Sequence, residues 1–298
     1  MKFLPFRKRE YRVFEGWDFV FNRAMIISGT QVAKKIFDEA NDIASGLLTR
    51  PGLGVVLVGD DPASRLYVGI KERRAEELGF LFRKEALPST ATVEEIVRVI
   101  NELNADGNVH GIIIQLPLPD GLDTDRIIAT IDPKKDADGF HPETVRRFLS
   151  DDQTSIPVFP EAIMELAKSS RIALSGKNGI AVVHSELFGS IMKKAFEYEG
   201  IIPTIISATE VDERMNEISN ADIVVTAIGQ PEQFSRDIFK SGAIVIDGGI
   251  SEKNGKVCGD VSAEGSDAAL FLTPVPGGVG PVTVACLLRR TARLAVTA

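Results

Sequence analysis

A two-domain α/β protein with mostly parallel sheets is the architecture this sequence predicts, and three observations carry it. At 298 residues the chain exceeds the roughly 100 to 200 typical of one domain. Apolar runs of strand length recur along it, of the kind that suits strands buried on both faces. Amphipathic stretches of helical period lie between them, and such alternation builds parallel sheets. In chain order, residues 32–48 read as a helix, with Val32, Ile36, Ala40, Ile43 and Leu47 at helical spacing. Residues 54–58 form an unbroken apolar strand, 66–78 and 93–103 are helical, and 111–114 is a second strand. The polar, turn-rich Ser150-Asp151-Asp152-Gln153-Thr154 marks a linker, after which residues 161–169 return to helical period. Strands are then expected at 180–183, 204–206, 223–228 and 243–246. Glycines 277, 278 and 280 between prolines 274, 276 and 281 describe a loop of fixed turns and little bulk, which lets backbone approach a flat ligand closely. Residues 282–296 read as a final helix. The predicted organisation is an N-terminal extension over 1–24, a first domain over 25–150 plus 280–298 to which the last helix returns, and a second domain over 151–279.

Composition narrows the function classes. A chain with 44% hydrophobic and 26% charged residues is ordinary globular material. Its net charge of -8 and pI near 5.1 offer no basic field for a polyanion, so nucleic acid is not an expected partner. Cys258 and Cys286 lie far apart and outside any CxxC spacing, which leaves no disulfide framework or structural zinc motif and predicts two buried, reduced thiols. No apolar run approaches the roughly 20 residues that span a bilayer, so a soluble protein without a membrane partner is expected. Residues 1–24 interleave Lys2, Arg7, Lys8, Arg9, Arg12 and Arg23 with aromatic residues, yet contain Glu10, Glu15 and Asp18 and no serine, unlike a transit peptide. Three readings stay open: a surface-packed extension, an upstream start with Met25 as a natural alternative, and targeting.

A few residues carry chemistry. Tyr67 and Lys71 are four apart, so on a helix they share a face. Such a lysine works as a general acid or base when burial lowers its pKa; the bland alternative is a partly buried ring with a snorkelling lysine. Gln115 ends an apolar strand and precedes Leu116-Pro117-Leu118-Pro119, which puts its amide at the carboxyl end of a parallel sheet, where open α/β sheets bind ligands; otherwise it is a capping amide. Asp138 sits between Ala137 and Gly139, where a carboxylate can grip paired N–H donors of a heterocycle, or be an ordinary loop aspartate beside Lys134 and Lys135. His110, His141 and His184 show no metal-ligand spacing, and structural roles without a metal are expected for them.

Four separated strings resemble the bifunctional methylenetetrahydrofolate dehydrogenase/cyclohydrolases, often called FolD, over residues 25–298. They are Val58-Gly59-Asp60-Asp61-Pro62-Ala63-Ser64 continuing through Tyr67 and Lys71, then Gln115 to Pro119, then Lys135-Asp136-Ala137-Asp138-Gly139-Phe140-His141, then Pro274 to Thr283. The resemblance implies an N-terminal catalytic domain and a Rossmann-like NAD(P)-binding domain with folate in the cleft between them. Tyr67 is then the residue that stacks on folate, Lys71 the acid/base of the hydrolytic step, Gln115 the group that tunes the lysine, and Asp138 the anchor of the pterin. Pro276, Gly277 and Gly278 fall on the substrate side, and Ser185, Gly189, Ile250 and Thr283 on the cofactor side. NADP is the implied cofactor, with NAD as the alternative, and a cytoplasmic homodimer is the implied assembly.

The sequence also departs from the family. After strand 180–183 the family has Gly-Arg-Ser, then glycine and, two on, proline; here Val183 replaces the first glycine, His184 the arginine and Ile191 the proline, while Ser185 and Gly189 remain. A β-branched side chain at 183 is expected to obstruct the tight turn or the pyrophosphate. Glu186 adds negative charge nearby, and Ser207-Ala208-Thr209-Glu210 supplies no cation for a 2′-phosphate. Phe159 stands for a threonine, Ala162 for a glycine, and Gly248 is a further departure. Three functions therefore remain open: both activities, cyclohydrolase alone, or a folate-binding relative without catalysis.

Overall fold

The computed structural model describes residues 25–265 and 271–297, so the extension over 1–24 lies outside the described residues. The first half of the chain runs β1 (Met25–Ile26), α1 (Gly29–Ser45), β2 (Gly52–Val58), α2 (Pro62–Glu77), β3 (Leu81–Leu87), α3 (Val93–Ala105), β4 (Gly111–Ile114), α4 (Thr124–Ile128) and α5 (Pro142–Leu149). The second runs α6 (Val158–Ser169), β5 (Asn178–Val183), α7 (Glu186–Tyr198), β6 (Ile202–Ser207), α8 (Met215–Asn220), β7 (Ile223–Ala227), β8 (Ile244–Asp247), β9 (Ser251–Lys253), β10 (Lys256–Cys258), β11 (Phe271–Leu272) and α9 (Val279–Val296).

Two parallel sheets result. The smaller has the order β3-β2-β4, with all seven residues of β2 buried at its centre. The larger has the order β1-β11-β8-β7-β5-β6. In it the chain steps from β5 outward to β6 and then returns past β5 to β7, so the topological switch point lies between the carboxyl ends of β5 and β7. Residues 25–26, grouped with the first domain on sequence grounds, pair with β11 and extend the larger sheet. An antiparallel β9–β10 hairpin stands apart from both sheets.

Helix starts come earlier than periodicity predicts, and at α2 a side-chain cap sets the start. α2 begins at Pro62, where Asp61 accepts the Ser64 N–H at 2.7 Å and proline occupies the first turn without losing an intrahelical bond. α6 likewise begins at Val158 rather than 161, with Pro160 tolerated in its first turn. α9 begins at Val279 behind Gly278, with Pro281 in its first turn.

α9 returns to the first half and packs along α1, and its buried Arg289 pairs with Glu39 of α1 and with Glu161 and Glu165 of α6. The neighbouring Arg290 donates Nη1 to the Ile156 carbonyl at 2.6 Å and Nε to the Asp136 carbonyl at 3.1 Å. One apolar cluster runs from Leu53 and Leu57 on β2 through Cys286 and Leu287 on α9 to Val183 on β5 and Ile246 on β8. The two sheets therefore share a packed helical layer. Among the described residues no helix is long and apolar enough to cross a membrane.

Candidate active site

Tyr67 and Lys71 stand one turn apart on α2, the helix that leaves the carboxyl end of β2, and Gln115 is the first residue past β4. β2 and β4 are hydrogen-bonded neighbours, so the two elements converge. Lys71 Nζ donates to Gln115 Oε1 at 2.7 Å. Gln115 Nε2 donates to the Leu116 carbonyl at 2.7 Å, and this second bond dictates which end of the amide faces the lysine. Lys71 thus has a neutral acceptor rather than a counter-ion. Burial lowers its pKa below the ordinary lysine value, and the field of Asp138 opposes that shift. Tyr67 is half-buried, its hydroxyl makes no hydrogen bond to the described residues, and burial raises its pKa.

Asp138 is held by a residue the sequence reading did not single out. Asp136 is buried at 1% exposure and accepts the Gly139 N–H through Oδ1 and the His141 N–H through Oδ2, both at 2.9 Å. These bonds curl residues 136–141 into a tight loop beside β4, to which Asp136 is bridged through Ile112. Gly139 closes the loop at φ 86°, where a Cβ would fall 2.7 Å from Pro157 Cα, and the Asp138 carbonyl accepts the Val158 N–H at 2.9 Å. The Asp138 carboxylate itself has no hydrogen-bond partner among the described residues. Burial raises its pKa, while the Lys71 and Arg290 charges pull it down and Asp136 adds to the rise. A half-buried acceptor left unpaired beside an amine of lowered pKa is suited to an incoming set of donors.

Other predicted residues are placed differently. Gly277, at φ 104°, accepts the Gly29 N–H at 2.9 Å, so the loop of Pro276, Gly277 and Gly278 is seated on the start of α1 and its hydrogen bond runs there rather than to Lys71. The Thr283 hydroxyl donates to the Gly280 carbonyl at 2.7 Å. Ile250 is exposed just past β8. Each histidine has a partner: His110 Nδ1 accepts the Gly52 N–H and His141 Nδ1 the Glu143 N–H, both at 3.0 Å, and His184 Nε2 lies 2.6 Å from the Ile228 carbonyl. That last contact spans the switch point between β5 and β7. Of the two thiols, Cys286 is buried and Cys258 only partly so.

At the start of α7, Ser185 is an exposed N-cap whose hydroxyl accepts the Phe188 N–H at 3.3 Å, with exposed Glu186 and Leu187 following. Such a helix start presents free N–H groups and a positive dipole end, which fits a pyrophosphate. A Cβ at Gly189 would fall 2.8 Å from Ile205 Cγ2, so glycine is what allows the helix to close onto β6. The obstruction expected of Val183 is absent. Its side chain is 2% exposed and belongs to the core beneath α7, near Gly189, because 183 is a paired strand residue and not part of the turn. The end of β6 is closed by a capping box in which Ser207 N–H donates to Glu210, and Arg214, which follows it, donates Nη1 to the Ile205 carbonyl at 3.3 Å while pairing with Glu217.

Comparison with known proteins shows the family. Residues 27–138 match the family described as tetrahydrofolate dehydrogenase/cyclohydrolase, catalytic domain, and residues 157–298 match its NAD(P)-binding domain. The bifunctional protein FolD of Bacillus subtilis (strain 168) is 39% identical over 278 residues, covering 91% of this chain and 98% of that one. Among solved structures, the bifunctional FolD of Campylobacter jejuni superposes with a TM-score of 0.86 at 34% identity, over 92% of this chain and 99% of that one. The Trypanosoma brucei N5,N10-methylenetetrahydrofolate dehydrogenase-cyclohydrolase, solved with NADP cofactor and an inhibitor, also gives 0.86, at 31% identity over 92% and 98%.

Proposed function

Because the chain belongs to the tetrahydrofolate dehydrogenase/cyclohydrolase family, we propose that it oxidises 5,10-methylenetetrahydrofolate to the 5,10-methenyl form with NADP and hydrolyses that product to 10-formyltetrahydrofolate, using Lys71, Gln115 and Asp138. The observation that carries the assignment of residues is the 2.7 Å bond from Lys71 to a neutral amide. A methenyl cation beside an ammonium would be repelled, and a carboxylate partner in place of Gln115 would keep the lysine charged. The amide does neither. Neutral Lys71 takes a proton from the water that attacks the methenyl carbon, the resulting ammonium returns a proton to N5 as the carbon–N5 bond breaks, and the carbinol hydroxyl loses its remaining proton to solvent as the formyl C=O forms. Asp138 accepts the paired N–H donors of the pterin, and the Tyr67 ring lies against it.

The residues present also fit a dinucleotide. When bound, NADP supplies the nicotinamide that accepts a hydride from the methylene carbon. In this reading Ser185 and Gly189 at the start of α7 receive the pyrophosphate, and Ile250, Thr283 and the substrate-side Pro276, Gly277 and Gly278 line the remaining cleft. The basic side chain that follows β6, Arg214, is already paired with Glu217, so NAD is retained as the alternative cofactor. We assign residues 25–150 and 280–298 to the folate domain and 151–279 to the nucleotide domain, with the strand at 25–26 crossing over to the larger sheet.

Two assays test the function: methylenetetrahydrofolate with NADP or NAD, followed by nicotinamide reduction, and methenyltetrahydrofolate alone, followed by hydrolysis. Hydrolysis without reduction would leave a cyclohydrolase only, and folate binding with neither would leave a non-catalytic relative. Gln115→Glu is expected to pair Lys71 with a carboxylate, raise its pKa and lower hydrolysis at neutral pH by about 10²-fold or more, with activity partly recovered at higher pH. A pH profile unchanged by the substitution would remove Gln115 from the proton chemistry. The protein is further proposed to act in the cytoplasm as a homodimer through the second domain. The larger sheet ends in β6, whose outer edge is unpaired among the described residues and whose Ile202 is 55% exposed. Light scattering is expected to give twice the chain mass of 32.3 kDa.

A further inference from the structure

Phe159 stands where the two sides of the cleft meet. Its chain neighbour Val158 donates its N–H to the Asp138 carbonyl at 2.9 Å, which fixes the start of α6 to the loop bearing the substrate-side carboxylate. Its ring lies against Gly248, the first residue past β8, where a Cβ would fall 2.9 Å from Phe159 Cζ and 3.1 Å from the Thr226 carbonyl. The same ring meets Phe188 in the first turn of α7, with centroids 5.5 Å apart and planes tilted by 40°. Both rings are only partly buried. An aromatic pair is thus set among the carboxyl ends of β5, β7 and β8 and one residue from the folate-side loop.

We propose that Phe159, backed by Phe188, is a positioning residue for the nicotinamide, forming the flat apolar wall against which that ring packs where it meets the folate. The proposal deepens the bifunctional reading above and rests on it. Hydride transfer needs the two carbons held about 3 to 3.5 Å apart, and a wall anchored to the Asp138 loop refers the position of one ring to the other. Aromatic faces hold a flat heterocycle by offset or tilted contact and keep water out. Two departures of the sequence explain each other here, since a bulky ring at 159 is possible only because 248 has no side chain.

Phe159→Thr, Phe159→Tyr and Gly248→Ala test it, through NADP binding by titration calorimetry, KM and kcat for methylenetetrahydrofolate oxidation, and hydrolysis of methenyltetrahydrofolate without nucleotide. Phe159→Thr is expected to weaken NADP binding and raise its KM by about tenfold, with hydrolysis within about twofold of the parent, and Phe159→Tyr to recover most of the loss. If the threonine variant fails to fold, Gly248→Ala, which displaces the ring, carries the same expectation. NADP affinity that is unchanged or tighter on losing the ring would overturn the proposal, because the ring would then be inert or occupy the nicotinamide's place. A parent enzyme that hydrolyses but never reduces NADP would instead sink the bifunctional reading, and the calorimetric comparison would still decide on Phe159.

Discussion

Lys71→Met is expected to lower methenyltetrahydrofolate hydrolysis by about 10²- to 10⁴-fold, the range one positioned acid/base supplies. Methionine keeps the length and packing of the side chain and removes only the amine. Its loss strands the Gln115 oxygen, at about 1 to 3 kcal/mol, while relieving the burial of an ammonium, so unfolding free energy is expected to change by no more than about 1 kcal/mol. Folate affinity should hold within a few-fold, because Asp138 and Tyr67 are untouched. Lys71→Arg sharpens the test: a guanidinium can still reach Gln115 but does not give up its proton, so it too should be inactive. In the parent enzyme the neutral share of Lys71 grows as pH rises through its lowered pKa, so hydrolysis should climb and level off below the ordinary lysine value of 10.5. Hydrolysis that survives in the methionine variant would leave the amine without a part in the reaction.

The sequence foretold the parallel core well, because β2, β5, β7 and β8 are apolar runs and their burial leaves little choice of period. β3 was not predicted. It is an edge strand on which Arg83 pairs with Glu85 and Asp106 and Lys84 with Glu72, and its polarity hides it from a search for buried runs. β1 and the β9–β10 hairpin are too short to register as runs at all. At the site, spacing and strand ends marked Lys71 and Gln115 as candidates beside bland alternatives, their roles came from the family resemblance, and the fold brings the two into contact. Asp136 was hidden beside Asp138, since nothing in Asp-Ala-Asp-Gly says which carboxylate closes the loop and which is left free. Val183 was misjudged because one residue of register decides whether a side chain enters the turn or the core. Phe159 and Gly248 were visible as separate departures, and only the fold brings them into contact.

Asp138→Ala is expected to raise the KM for both folate substrates by about 10- to 150-fold, the loss of charge-assisted hydrogen bonds worth about 1.5 to 3 kcal/mol. The protein should stay as stable as the parent, because the carboxylate has no partner among the described residues to abandon. That separates it from Asp136, whose carboxylate holds the Gly139 and His141 N–H groups. Asp138→Asn should do little better than alanine, since half of its amide would present donors to donors. In the parent enzyme the raised pKa of Asp138 means that folate affinity falls as pH drops through that value, a dependence both variants should lose. The substitution also reaches Lys71. Asp138 is the charge that opposes the lowering of the lysine pKa, so without it the pKa falls further and the residual hydrolysis should level off at a lower pH than in the parent. A residual profile that moves to higher pH, or a KM that does not move, would place the carboxylate outside the site.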